Sequence, residues 1–130
     1  MEKKLILFQK SYDLLLWLYP VVNRIPKFHK TILGRQIEEL GLSILLHIQA
    51  ANKTRGAQRK EIQLVISDEL DKLRILIRLT KDLRFMSIKQ YEHGAEKINE
   101  VGKILSGWMR STRDLDHKVV ANDTENMSLF

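Results

Sequence analysis

The chain contains no cysteine. Disulfides and thiolate-bound metals are thereby excluded, and a reducing cytoplasm is the natural setting. Only two prolines and six glycines interrupt 130 residues, a scarcity that favours long helices. Strand-like alternation of apolar and polar residues is missing, and no uncharged run approaches the ~18 residues a membrane span needs. The first residues, MEKKLILFQKSYDLLLWLYP, open like a signal peptide with lysines before an apolar run. Gln9, Lys10, Ser11 and Asp13 break that run and no small-residue cleavage site follows, so a leader is not expected. Metal and phosphate motifs are lacking too. A metal-binding bundle needs inward carboxylates and Glu-x-x-His pairs, whereas His29, His47, His93 and His117 lie in different segments. There is no phosphate-binding glycine loop and no nucleophile motif, so neither a cofactor nor a metal is expected.

What is present is charge, unevenly placed. The formal charge is +6. From Asp114 onward four acids (Asp114, Asp116, Asp123, Glu125) and one lysine (Lys118) give −3, which leaves +9 on the body. A basic body with an acidic tail points to a polyanionic or acidic partner, against the plainer reading of solubility alone.

The apolar pattern has helical period and predicts four segments. The first runs from about Lys3 to Asn23 and stops before Pro26, because the residue preceding a proline avoids helical geometry. The second starts near Thr31 as N-cap and carries Leu33, Ile37, Leu40, Ile44, Ile48 and Ala51 on one face. It fades at NKTRG, where Gly56 can take a positive φ. The third spans about Gln58 to Arg84, with Ile62, Ile66, Leu70, Leu73, Leu76 and Leu83 as its stripe. The fourth opens on a capping box, SIKQ from Ser87 to Gln90, and continues through Ile98, Val101, Leu105 and Trp108 to about Arg113. These elements predict an all-α, antiparallel up-down four-helix bundle over 1–113, followed by an acidic, mobile tail over 114–130.

Two features exceed what a lone bundle requires. LLLWLY, Leu14 to Tyr19, is apolar around the whole helix, and LILF, Leu5 to Phe8, repeats this earlier. Surplus of that kind marks subunit contacts, with Leu5, Phe8, Leu14, Trp17 and Leu18 as candidates; deeper burial in the chain's own core is the alternative. Gly94, Gly102 and Gly107 each cost the last helix about 1 kcal/mol, which points to close helix approach.

The second feature is LRILIRLTKDLRF, Leu73 to Phe85. At about 100° per residue, Arg74, Arg78 and Lys81 fall within roughly 60° of each other, with Arg84 to one side and Leu73, Leu76, Leu83 and Phe85 opposite. The bland account is that these cations complement the negative end of the helix, and Asp71 can pair with Arg74. Arg78 and Arg84 have only Asp82 nearby. Guanidinium suits forked contact with phosphate or carboxylate, and with Arg55, Arg59 and Lys60 the body has enough cations to bind a phosphate backbone, largely without regard to sequence. No aromatic platform lies beside the ridge, which argues against reading of single-stranded bases. His47, near the apolar face of the second helix, reads as a hydrogen-bonded core or interface residue. Arg24 with His29, and more loosely Arg110 with His117, resemble the Arg-x-x-x-x-His motif of HEPN ribonucleases. The first pair sits in a proline-containing loop and the second runs into the tail, which is the wrong context for that chemistry.

The series YDLLLWLYPVVNRIPK, TILGRQIEE and LDKLRILIRLTKDLRFMSIKQYEHGAEKINEVGKILSGWMRS resembles the accessory variability determinant (Avd) family of diversity-generating retroelements, over roughly Phe8 to Ser111. Its most specific pieces are LR-x-x-x-RL, with Arg74 and Arg78, and EVGKILSGWMRS, with Glu100, Gly102, Gly107 and Trp108. The same broader family includes four-helix, ribosomal-protein-like products of rRNA intervening sequences. The resemblance implies a ring-like homopentamer with a positive surface and no catalysis. It implies binding to a reverse transcriptase and its template RNA in support of mutagenic retrohoming, through Arg74 and Arg78; Lys81 and Arg84 extend that ridge on spacing alone.

Overall fold

The computed structural model describes the backbone of residues 3–128 and the side chains of residues 4–115. Those residues are helical, with four long helices and no strand. Helix α1 covers Lys3–Asn23. A short turn, α2 (Lys27–His29), leads through a π turn at Lys30–Gly34 into α3 (Arg35–Asn52). Helix α4 covers Gly56–Asp82 and α5 covers Ile88–Ser128.

Each boundary has a local cause. Pro26, extended at φ −52° and ψ 142°, separates α1 from α2. Helical geometry resumes at once at Lys27, so Thr31 lies inside the π turn and caps nothing. At the next junction Arg55 is extended and Gly56 takes φ 60°, the left-handed value that needs no Cβ. The expected box at Ser87 is formed: the Ser87 amide donates to Gln90 Oε1 at 2.9 Å and the Gln90 amide donates to Ser87 Oγ at 3.1 Å. Helix α5 runs to Ser128, past the expected stop near Arg113. The expected tail therefore begins within this helix; its side chains from residue 116 on, and residues 129 and 130 entirely, lie outside the described residues.

Around the bundle α1 touches α3 and α5, and α4 touches the same two, so α1 and α4 face each other across the core. Side-chain contacts join neighbouring helices at several levels. Lys10 pairs with Glu100 while Trp17 meets Gly94; Ser43 reaches Glu69 while Arg59 reaches Ala51; Gln63 meets Thr112 while Lys81 meets Tyr91. The predicted stripes supply the core. Ile37, Ile44 and Ile48 of α3, Ile66, Leu70 and Leu73 of α4, and Ile98, Val101, Leu105 and Trp108 of α5 are all buried. Full burial of one such side chain stabilises the fold by roughly 1.5–3 kcal/mol. Leu83 departs from the pattern: it follows the last residue of α4 and is 45% exposed.

The apolar run on α1 divides between two faces. Leu14, Leu15 and Leu18 are core residues. Trp17 lies against Gly94 of α5, where an added Cβ would stand 2.3 Å from its ring, and Phe8 packs on the core beside Tyr12. Four of the five expected interface residues are thus engaged inside one chain, Leu14 and Leu18 completely, and Leu5 alone of the five stays exposed. The surplus surface consists of Leu5, Tyr12, Leu16 and Tyr19, spaced by seven, four and three residues and so on one outward stripe. Across the bundle α4 shows a second one, Leu64, Ile75 and Leu79, interrupted by the Asp68–Lys72 ion pair. By length and composition Lys4–Asn23 could cross a membrane, but its buried residues form the core, as in any central bundle helix.

Candidate nucleic-acid interface

The ridge on α4 begins with Arg74, whose Nη1 lies 2.8 Å from Asp71 Oδ1, the local pair its spacing allows. The same guanidinium lies over Gly102 of α5, which bears no side chain to displace it. Arg74 therefore occupies the furrow between α4 and α5 instead of pointing straight outward. Arg78 does point outward: its side chain is 73% exposed and its Nε stands 3.8 Å from Asp82 Oδ2. An exposed pair that loose contributes at most about 1 kcal/mol and leaves most of the guanidinium available. Lys81 lies 3.3 Å from Asp82 and 4.5 Å above the Tyr91 ring, holding its charge at the α5 side of the ridge.

Arg84 does not extend the ridge. Helix α4 ends at Asp82, and Arg84 sits in the following turn at φ 66°. The Phe85 amide donates to Thr80 O at 3.0 Å and the Arg84 amide donates to Lys81 O at 2.9 Å, the paired bonds of a Schellman motif with arginine where glycine is usual. Arg59 is also redirected. Its Nε donates to Ala51 O at 3.0 Å and its Nη2 to Asn52 O at 3.3 Å, while its guanidinium lies 5.3 Å from the Trp108 ring centre. It closes the carbonyl end of α3 and is a structural cation. Arg55 stays exposed before α4, and Lys60 lies one turn into that helix beside Met109, Arg110 and Arg113 of α5. The cations that spacing along one helix overlooked are Lys103 and Arg110, which line the furrow next to Arg74. Their seven-residue separation was the available signal.

The histidine on α3 has a partner that the sequence pattern did not reveal. His47 Nδ1 lies 2.7 Å from Glu69 Oε1, and Ser43 Oγ donates to Glu69 Oε2. Glu69 is 9% exposed. Serine, histidine and glutamate in contact invite a hydrolytic reading, and the geometry rejects it. Ser43 and Glu69 approach the same ring nitrogen, whereas a catalytic triad needs the nucleophile on one nitrogen and the carboxylate on the other. The cluster fastens α3 to α4. Arg24 and His29 are both exposed, and the His29 ring centre lies 4.8 Å from that of Phe85. Arg110 is in the α4–α5 furrow, and the His117 side chain lies outside the described residues. Among the described residues no group of three histidine or acidic side chains could hold a metal.

Among the described residues, the four helices carry cations on α4 and along the α4–α5 furrow, and they assemble neither a Ser-His-acid triad nor a metal cluster. The fold is similar to the solved structure of a protein of unknown function from the S23 ribosomal protein family of Bacteroides thetaiotaomicron. The TM-score is 0.76 at 17% identity, over 84% of this chain and 99% of that one. Comparison with curated proteins gives no match. The chain belongs to the bAvd-like family, whose model matches residues 5–112. That membership supports an accessory protein of a diversity-generating retroelement in general, a class without catalysis of its own.

Proposed function

We propose that this chain is a non-catalytic accessory protein that binds the reverse transcriptase of a diversity-generating retroelement, together with template RNA or cDNA, to support mutagenic retrohoming in the cytoplasm. The observation that carries this reading is the bAvd-like match over residues 5–112. The exposed Arg78 and the adjoining Arg74 supply a surface for an anionic partner. Arg55, Lys60 and Lys81 add charge to it, while Arg59 serves the fold. In the same proposal the bundle is antiparallel and up-down, and copies of it close into a ring, with five as the expected number. Two unlike apolar stripes, on α1 and on α4, favour head-to-tail contacts, which is the interface type that builds rings.

The test is co-purification with a reverse transcriptase of a diversity-generating retroelement. Arg74→Ala with Arg78→Ala is expected to weaken capture while helicity and assembled mass stay unchanged. Unaltered capture at moderate salt would reduce the ridge to a solvated face. Light scattering at micromolar concentration is expected to give the mass of a closed oligomer, and a monomer would remove the role assigned to the stripes. The S23 likeness favours a second reading, an rRNA intervening-sequence type of bundle that binds nucleic acid without a polymerase partner. At 17% identity that likeness concerns the fold, so it ranks second. A neighbouring reverse-transcriptase gene with a template repeat decides between them.

A further inference from the structure

We propose that the furrow between α4 and α5 is a track for a nucleic-acid phosphodiester backbone, held by Lys103, Arg110 and Arg113 of α5 facing Lys60 and Arg74 of α4. This rests on the nucleic-acid part of the function proposed above and assigns it a place beside the outward ridge, with Arg74 common to both.

The two walls have matching construction. On α5, Asn99, Lys103, Ser106, Arg110 and Arg113 follow at intervals of four, three, four and three residues and so share one helix face. On α4, Lys60, Ser67, Asp71 and Arg74 follow at seven, four and three. These faces meet across an open cavity of about 670 Å³. Arg110 also lines a smaller cavity of about 220 Å³ that continues the furrow to Lys60 and Arg113. Asp71 is the one acid lining either cavity, and it is already paired with Arg74. No acid occurs from Val101 to Arg113, whereas Glu92, Glu96 and Glu100 occupy the earlier turns of α5.

The chemistry of this lining selects its ligand. Guanidinium and ammonium groups alternate with Ser67, Asn99 and Ser106, neutral groups that hydrogen-bond phosphate oxygens. Gly102 leaves the space into which the Arg74 guanidinium fits. Leu70 and Leu105 are the only large apolar residues of the main cavity, too little for the apolar centre of a protein–protein contact; Leu64 and Met109 line the smaller one, where the furrow borders the α4 stripe. Neither cavity is lined by an aromatic ring, so bases are not stacked and the sequence is not read. From Lys60 to Arg74 the furrow extends along about 21 Å of helix.

The test uses the full chain, with fluorescence anisotropy of a labelled RNA of about 20 nucleotides, single-stranded and as a duplex, over a salt series. Lys103→Gln with Arg110→Gln is compared with Lys27→Gln with Lys53→Gln, which removes the same charge from exposed positions elsewhere. Circular dichroism and light scattering confirm that both variants keep helicity and mass. The furrow variant is expected to bind at least about tenfold more weakly at moderate salt, with the slope of log K against log salt reduced by about 1.4 for the single strand. The control is expected to change affinity less than about threefold, since its charges lie outside the track. Equal losses in both variants, or none in either while the wild type binds, would overturn the furrow assignment and leave RNA binding intact. Failure of the wild type to bind either RNA would overturn the nucleic-acid reading itself, and the track with it. Displacement of RNA by poly-glutamate at matched charge would reassign the furrow to an acidic polypeptide.

Discussion

Arg74 lies across Gly102, so close that a Cβ on the glycine would stand 2.7 Å from Nη2. The threatened atom is the far end of a flexible side chain, which can move aside. Alanine at that point also recovers helix propensity of about 1 kcal/mol. Gly102→Ala is therefore expected to leave stability unchanged or raise it by up to ~1 kcal/mol in urea unfolding, while weakening RNA binding through the displaced guanidinium. A clear loss of stability would mean that Arg74 is held rigidly.

Gly94→Ala has the opposite expected sign, although it is also a glycine within α5. Its added methyl would meet the Trp17 ring at 2.3 and 2.8 Å, and an indole packed on the core cannot swing away as a guanidinium can. Overpacking of this kind costs roughly 1–3 kcal/mol, which outweighs the propensity gain. Chemical unfolding followed by tryptophan fluorescence is expected to show a net loss of up to about 2 kcal/mol.

Arg84 holds φ 66° at the end of α4, where any Cβ is crowded by the following carbonyl. Replacement by glycine relieves that crowding and is expected to stabilise the chain by about 1 kcal/mol. Because Arg84 stands off the ridge, Arg84→Gly is also expected to retain reverse-transcriptase capture. A fall in capture as large as that of Arg74→Ala with Arg78→Ala would place this arginine back among the binding residues.

Glu69 accepts from both Ser43 and His47 between α3 and α4. Glu69→Ala strands two partly buried polar groups and is expected to cost about 1–3 kcal/mol in thermal or urea unfolding. RNA affinity at a temperature where the variant stays folded is expected to remain that of the wild type, since Glu69 lines neither furrow cavity. A changed affinity would connect this clasp to the binding face.

What could be read from the residues divides by range. Three helix boundaries were legible because their causes are local: Pro26 after α1, Gly56 before α4, and the reciprocal bonds of Ser87 and Gln90 before α5; the start expected at Thr31 and the stop expected near Arg113 were not. The buried stripes were legible because helical period needs no partner to be seen, and Ile37, Ile66 and Ile98 are core residues as their spacing requires. Relations between distant residues were not. Nothing near His47 announces Glu69, 22 residues on, and nothing near Arg59 announces the α3 carbonyls it caps. Angular position along α4 placed Arg74 beside Arg78, yet Gly102 on another helix decides that one fills a furrow while the other meets water. On α1 the all-round apolar run could not show which residues face inward, and Leu14 and Leu18 prove to be buried.

The greasy stripes of α1 and α4 carry a consequence for mixtures. Because the core separates them, no chain can cover one with the other, and each copy has two different hands to offer. A variant with Leu16 and Tyr19 made polar would keep its α4 hand and lose its α1 hand. In the proposed ring, which closes only when every copy offers both surfaces, adding this variant to normal copies is expected to lower the closed-oligomer signal in light scattering by more than its own share of the molecules.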